Sequence, residues 1–323
     1  MALLGRRKRA QGERTRFFFA TDLHSSEACF RKLLAAPKQY EVSTVIMGGD
    51  CTGKMLVPLI ESDSDGFTCA WEGEHKVLTD DGAVADQERR IRYAGLYPVR
   101  LSQSETGVLD DPDELARLFS RRMEETLRGW ISLAEQRLEP QGVRVIMTPG
   151  NDDEFEIDDV LRAGSYVETP EGEITRIGPH EMLSIGWSNH TPWHTPRECS
   201  EEELAEKIDD LAARIEDMPS AIFNIHVPPH GTGLDDAPEL DDELRPIEGG
   251  SVAQPVGSVA VREAIFEHQP LLSLHGHIHE SRGVQRLGRT TAINPGSAYG
   301  EGVLQGVIIE LREGDVRHHL TSG

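Results

Sequence analysis

Apolar positions in this chain come in short runs separated by helical stretches. RFFFATD (16–22), STVIMGGD (43–50), VRVIMTPG (143–150), MLSIGWS (182–188), SAIFNIH (220–226), LLSLHG (271–276), TTAINPG (290–296) and LQGVIIEL (304–311) are rich in β-branched residues, and most run into Gly, Pro, Asp or Ser. Runs this short, apolar at adjacent as well as alternate positions, predict strands buried on both faces. Between them the period changes to that of a helix. Ser26 to Ala35 places Cys29, Leu33 and Leu34 on one side. Asp111-Pro112-Asp113-Glu114 opens a second helix, with proline in its first turn and acids at its positive end. Leu115, Leu118, Met123, Leu127, Trp130, Ala134 and Leu138 then form its apolar stripe. Ser200 and Glu203 make a capping box for a third, which carries Leu204, Ile208, Leu211 and Ile215 and stops before Pro219. A fourth runs from about Ser258 to His268. Strands alternating with helices predict an α/β layered core.

Residues 53–110 break this rhythm. They are rich in Gly, Asp and Ser, carry short aromatic pieces such as TCAWEG and RYAGLYPVRL, and separate neighbouring strands by more than a simple loop requires. They read as an insertion, partly β, suited to roof a site. The expected organisation is a basic, disordered tail over 1–15 and one domain over 16–320. A cap-like segment and a helix are inserted into that domain at 53–142.

Charge narrows the function classes. Thirty-three Lys and Arg against 56 Asp and Glu give −23 over 323 residues, an acidic surface that disfavours coating long nucleic acid. The basic run Arg6-Arg7-Lys8-Arg9 reads as a solvated tail. The opening stretch lacks the apolar core of a secretory signal, and no later segment is long enough to span a bilayer, so no membrane partner is expected. Cys29, Cys51, Cys69 and Cys199 lie far apart with no CxxC pair, which suits reduced thiols and a cytoplasmic location.

The chemistry gathers where strands end. TDLH puts Asp22 and His24 after the first strand, GGD puts Asp50 after the second, and PGND puts Asn151 and Asp152 after the third. NIH ends a strand with His226, and HGHIH ends another with His277 and His279. Open α/β sheets bind ligands at the carboxyl ends of their strands. Each signal alone is weak, since a DxH is common by chance and GD or GND is usually a turn. Only HGHIH is stronger, because alternate histidines of an extended segment project to one side. Five in order at strand ends are harder to dismiss.

The set resembles the calcineurin-like metallophosphoesterases, whose pattern is DxH, GD, GNH followed by an acid, a lone His, then GHxH. Here it reads Asp22-Leu23-His24, Gly49-Asp50, Gly150-Asn151-Asp152-Asp153, His226 and Gly276-His277-Ile278-His279, and the resemblance extends through INPGSAYG. It implies a four-layer αββα sandwich with two central mixed sheets and a dinuclear metal centre. By that likeness Asp22, His24, Asp50 and His279 hold one ion, and Asp50, Asn151, His226 and His277 the other, with Asp50 bridging. Two carboxylates, one amide and four imidazoles, with no thiolate, suit two divalent transition-metal ions from among Mn, Fe, Zn, Co and Ni. The implied activity is hydrolysis of a phosphoester by a hydroxide bridging the two ions.

One position departs from the pattern. Asp152 stands where most of the family has a histidine that helps protonate the leaving group or steady the phosphate. An ionised carboxylate is a poor acid. His230 in HVPPHG and His190 or His194 in WSNHTPWH are the candidate substitutes, each with an ordinary loop role as its rival reading. Trp187 and Trp193 are expected to pack, and His275 to lie beneath the site or orient a ligand histidine. Gly276 is read as permitting a tight turn. The expected substrate is a phosphodiester, nucleotide or other small phosphoester, because an extra negative charge at Asp152 repels a dianion more than a monoanion. The alternatives are a nuclease or phosphomonoesterase on the same fold, or a non-catalytic scaffold or regulatory protein.

Overall fold

The computed structural model describes residues 14–62, 66–241, 243–312 and 314–323. Of the tail expected over 1–15, residues 1–13 lie outside that range.

Two six-stranded mixed sheets form the centre. The first is ordered Asp315–Ser322, Gln305–Arg312, Thr15–Ala20, Thr44–Gly48, Arg144–Thr148, Val167–Glu168. The second is ordered Gly283–Leu287, Thr290–Asn294, Leu272–Leu274, Ile222–Ile225, His180–Ile185, Ile174–Ile177. Within the first, Thr15–Ala20, Thr44–Gly48 and Arg144–Thr148 are parallel. Within the second, His180–Ile185, Ile222–Ile225, Leu272–Leu274 and Thr290–Asn294 are parallel. Each sheet therefore delivers several strand ends to one edge.

The sequence dictates which face goes where through the two-residue period of a strand. Phe17 and Phe19, with Ile46 and Ile146, point between the sheets and meet Met182, Ile222, Leu272, Leu274 and Ile293. Phe18 and Ala20, with Val45 and Met47, point outward to helices Glu27–Leu33, Pro112–Leu138 and Ile157–Ala163. On the far side Leu183, Ile185, Phe223 and Ile225 pack under helices Glu201–Ala212 and Val259–His268. The layers run helix, sheet, sheet, helix, and burying each large side chain stabilises them by about 1.5–3 kcal/mol.

Local signals set the helix ends. The Asp111 side chain accepts from the backbone N–H groups of Asp113 and Glu114, and Pro112 occupies the first turn. Trp130 of that helix stacks on Phe30 at 4.1 Å. Ser200 and Glu203 satisfy each other's backbone donors at the start of Glu201–Ala212.

Residues 55–101 build a separate four-stranded sheet, ordered Glu74–Leu78, Phe67–Trp71, Leu56–Glu61, Tyr97–Leu101, with helix Asp81–Tyr93 on one face. Val57, Leu59, Cys69, Leu78, Val84 and Ile91 form a small core of its own, and Val99 and Leu101 pack on Leu118 of the long helix. Among the described residues no helix is long and apolar enough to cross a membrane.

Candidate metal centre

The strand ends of both sheets converge. Ligand-capable atoms of Asp22, His24 and His279 lie within 4.8 Å of one another, as do those of Asp22, Asp50 and His226, and those of His24, Asp50 and Asp152. His24 Nε2 stands 3.5 Å from Asp50 Oδ2, His226 Nε2 3.4 Å from the same oxygen, and His279 Nε2 3.4 Å from Asp22 Oδ1. His277 joins through Nδ1, 2.7 Å from Asn151 Oδ1, and its ring lies edge-on to His226 with centroids 5.5 Å apart. All seven residues that the resemblance implied as ligands are thus gathered in one place. His190, His194 and His230 belong to none of these groups. His190 is largely exposed, 3.6 Å from Glu198, and His230 is partly exposed, 3.8 Å from Asp235. His194 lies on an exposed turn with φ 52°. Trp187 is partly buried and Trp193 is 62% exposed.

Backbone conformation aims these groups. Asp22, His24, Asp50 and His277 all have positive φ (54°, 41°, 49° and 66°), a region that non-glycine residues rarely occupy. Such residues each cost roughly 1–3 kcal/mol and persist where the surroundings hold them. The surroundings do so here. Asp22 N–H donates to Gly49 O at 3.0 Å and His24 N–H to Asp50 O at 2.9 Å, so the first two loops lie against each other. His277 N–H donates to both Asp22 carboxylate oxygens, at 3.0 and 3.1 Å. Asp152 N–H donates to Asp50 Oδ1 at 3.0 Å. At Gly276 the requirement differs from the one expected. The turn's positive φ belongs to His277, and a Cβ at Gly276 would sit 2.2 Å from Thr21 Oγ1 and 2.4 Å from Asp22 Oδ2. Close approach makes that glycine necessary.

A layer of partners fixes the imidazoles. A carbonyl only accepts, so His24 Nδ1, 3.1 Å from Thr52 O, and His226 Nδ1, 3.2 Å from Gly48 O, must carry their protons there. Each ring then presents Nε2 to the pocket, as metal-binding histidines do. Asn151 Nδ2 donates to Thr195 Oγ1 at 2.9 Å, and Thr195 Oγ1 donates to Glu198 at 2.7 Å, which turns the Asn151 amide oxygen inward. His275 is fully buried and saturated by Ser273 Oγ and by the carbonyls of Ile225 and Val227.

Asp153 holds the frame together. Its carboxylate is fully buried and accepts from Cys51 N–H (2.9 Å), Thr52 N–H (2.9 Å), Thr52 Oγ1 (2.6 Å) and Gly150 N–H (2.8 Å). Arg197, also buried, donates to Asp153 O and Glu154 O and pairs with Asp158. From the other sheet, Asn294 Nδ2 donates to Gly276 O and Ile278 O, and Ser297 Oγ to Asp22 O. Sequence reading passed over Thr195, Arg197 and Lys54. Neither Thr195 nor Arg197 carries a local signal, because each acts on a loop far away in the chain.

The residues fit divalent ions. His226 Nε2 is buried with no hydrogen-bond partner. Burial alone would lower the His226 pKa, yet the charges of Asp50 and Asp22 push it up to about 10. Burial would likewise raise both carboxyls. The hydrogen bond from His279 and the charge of His226 hold Asp22 well below the usual range, and the charges of His226 and His24 do the same for Asp50. The field at His226 Nε2 therefore demands positive charge. Burial depresses His24 to about 3, and burial with the His226 charge depresses His277 to about 4, so both remain neutral donors.

No protein-family model matches the chain. Over 155 residues it is 30% identical to the uncharacterized protein MJ1162 of Methanocaldococcus jannaschii, a stretch of 47% of this chain and 64% of that relative, under two thirds of the relative's length. The structure is similar to TT1561 of Thermus thermophilus at a TM-score of 0.53 and 11% identity, covering 95% of this chain and 99% of that one. The four-layer αββα arrangement with two central mixed sheets, implied by the sequence resemblance, is present. A lower-scoring likeness, at a TM-score of 0.34 and 11% identity, is to a structure described as a novel archaeal phosphodiesterase, covering 95% of this chain and 99% of that one.

Proposed function

We propose that the protein is a phosphoester hydrolase working through two divalent transition-metal ions. The carrying observation is the convergence of Asp22, His24, Asp50, Asn151, His226, His277 and His279 from two sheets, with the buried His226 Nε2 facing the Asp50 and Asp22 carboxylates at 3.4 and 3.7 Å. Bound there, two ions would supply Lewis acidity, making a water nucleophilic near neutral pH and drawing charge from phosphoryl oxygens. The chain's own groups do the rest. Asp50 reaches both halves of the ligand set, through His24 on one side and His226 on the other. The carbonyls of Thr52 and Gly48 keep His24 and His226 in the tautomer that faces the pocket.

Among the described residues no imidazole beyond the implied ligands stands in these groups, so no histidine is placed to protonate the leaving oxygen. The rate should then depend steeply on leaving-group acidity, and aryl esters should far outrun alkyl ones. A small diester is the favoured substrate over a monoester or a nucleic acid, a preference that rests on the charge of Asp152 and that the Lys54 pair weakens. Manganese, iron, zinc, cobalt and nickel all suit the donor set. The cytoplasmic location read from the cysteines belongs to the same proposal.

The test is metal analysis of the purified protein together with hydrolysis of aryl phosphate mono- and diesters, wild type against Asp50→Asn. About two ions per chain and a loss of at least a hundredfold in the variant are expected. Bound metal without hydrolysis would favour the scaffold reading, and equal rates in both proteins would assign the activity to a contaminant.

A further inference from the structure

Beyond the seven ligands, the pocket holds a charge pair that the family pattern does not account for. Lys54 Nζ forms an ion pair with Asp152 Oδ2; the Lys54 side chain is 49% exposed and that of Asp152 16% exposed. Asp152 is held from behind, since its N–H donates to Asp50 Oδ1 and its carboxylate falls within the group formed with His24 and Asp50. Lys54 is thereby drawn over the same cluster, close enough for its charge to act on His24, Asp50, His279 and Tyr299. Tyr299 closes the other side, its ring 4.5 Å from that of His24 and 5.6 Å from that of His279.

An ammonium offers three donors, and one carboxylate oxygen does not exhaust them. With the side chain half-exposed beside the cluster, the remaining donors are open to an incoming anion. The nearby buried cation Arg197 is committed to Asp153 O, Glu154 O and Asp158. Asp152 by itself would repel an incoming anion, and pairing with Lys54 cancels that repulsion while fixing where the ammonium stands.

We infer that Lys54, positioned by Asp152, contacts a non-bridging phosphoryl oxygen of the substrate, supplying by hydrogen bond and charge some of what a histidine at position 152 would supply. This inference rests on the phosphoesterase reading and deepens it.

The experiment uses the full chain, loaded with manganese, with inorganic phosphate as the binding probe. Metal content, phosphate affinity by calorimetry, and kcat and KM for an aryl phosphate diester are measured for wild type, Lys54→Gln, Lys54→Arg and the double variant Lys54→Gln/Asp152→Asn. Lys54→Gln is expected to keep its metal, to weaken phosphate binding at least tenfold and to lower kcat/KM by a similar factor. Lys54→Arg should stay within about threefold of wild type. The double variant should recover some of the lost affinity, since it removes the carboxylate left unpaired but not the need for a donor. Unchanged phosphate affinity in Lys54→Gln overturns the inference while leaving the hydrolase intact. Loss of metal in that variant overturns it in favour of support for the ligands, and full recovery in the double variant overturns the contact in favour of charge cancellation alone. A loaded wild type that neither binds phosphate nor hydrolyses the ester defeats the phosphoesterase reading, and this inference with it.

Discussion

Replacing Asp153 by Asn tests how the metal loops are held. The carboxylate is fully buried, and each of its oxygens accepts twice, Oδ2 from Cys51 and Gly150 N–H and Oδ1 from Thr52 N–H and Oγ1. An amide keeps one acceptor and turns an NH2 toward the other pair. If the NH2 faces Cys51 and Gly150, two backbone donors lose their acceptor. If it faces Thr52, the hydroxyl can reverse and accept, so only the Thr52 N–H is orphaned. The second arrangement is the cheaper. An orphaned buried donor costs about 1–3 kcal/mol, and the surviving bonds lose charge assistance worth about 0.5–1 kcal/mol each. Against this, burial and the charge of Asp50 raise the Asp153 pKa, so removing the charge returns some energy. The net expectation is a destabilisation of about 2–4 kcal/mol. Urea unfolding of metal-free wild type and Asp153→Asn at pH 7.5 measures it, with manganese affinity measured in parallel. An Asn variant that unfolds at the wild-type midpoint and binds manganese equally would refute the role given to this side chain.

Gly150→Ala should abolish metal binding while leaving the far-ultraviolet circular dichroism unchanged, because a Cβ there would lie 2.2 Å from Asp50 Oδ1 and 2.4 Å from Asp50 N; metal analysis after dialysis reads the loss. Burial pushes the Glu171 carboxyl up to about 7 from its ordinary 4.5, against the opposing Gly186 N–H. Between those two values the folded protein keeps a proton that the unfolded chain has released, so this group's contribution makes stability fall as pH rises through the window and then level off. Glu171→Gln should flatten that fall, improving relative to wild type by at most about 3 kcal/mol between pH 4.5 and 8, as read by denaturant titrations across the range. Trp130→Ala removes the stack on Phe30 and should cost about 3–5 kcal/mol, lowering the thermal midpoint while manganese affinity stays within about twofold.

The elements that form the layers were legible because each buries a large apolar face. All eight strands expected from apolar runs are present, and the four helices follow their capping signals, with Ser26, Asp111, Ser200 and Ser258 as N-caps. What escaped reading buries little. Strand Asp315–Ser322 reads DVRHHLTS and has Thr321 as its one buried residue, since it is an edge strand with one neighbour. Strand Gly283–Leu287 lies at an edge of the other sheet and likewise has one buried residue, Leu287. The small sheet of the 55–101 segment packs mainly on helix Asp81–Tyr93 and touches the long helix only near Leu118, so its strands carry fewer apolar positions than a doubly covered strand. At the centre, the residues that converge were legible from strand-end position and residue type. Their supports were less so: Asp153 stood in the motif without a role, Thr195 and Arg197 work across loops distant in sequence, and Lys54 falls just inside the segment taken as inserted.

The order of the first sheet carries a consequence for biosynthesis. Strand Thr15–Ala20 lies between Thr44–Gly48 and Gln305–Arg312, so one of its two neighbours is synthesised about 285 residues (305 − 20) after it. At about 5–20 residues per second that edge, bearing Phe17, Phe18 and Phe19, waits on the order of tens of seconds for its cover, a period in which bare strand edges invite wrong pairing. A nascent chain arrested after residue 280 already owns every carboxylate and imidazole of the centre, yet the strand that leads into Asp22 is still paired on one side only. Tight manganese capture should therefore switch on late, when Gln305–Arg312 docks, and a release assay on stalled chains of increasing length would time it.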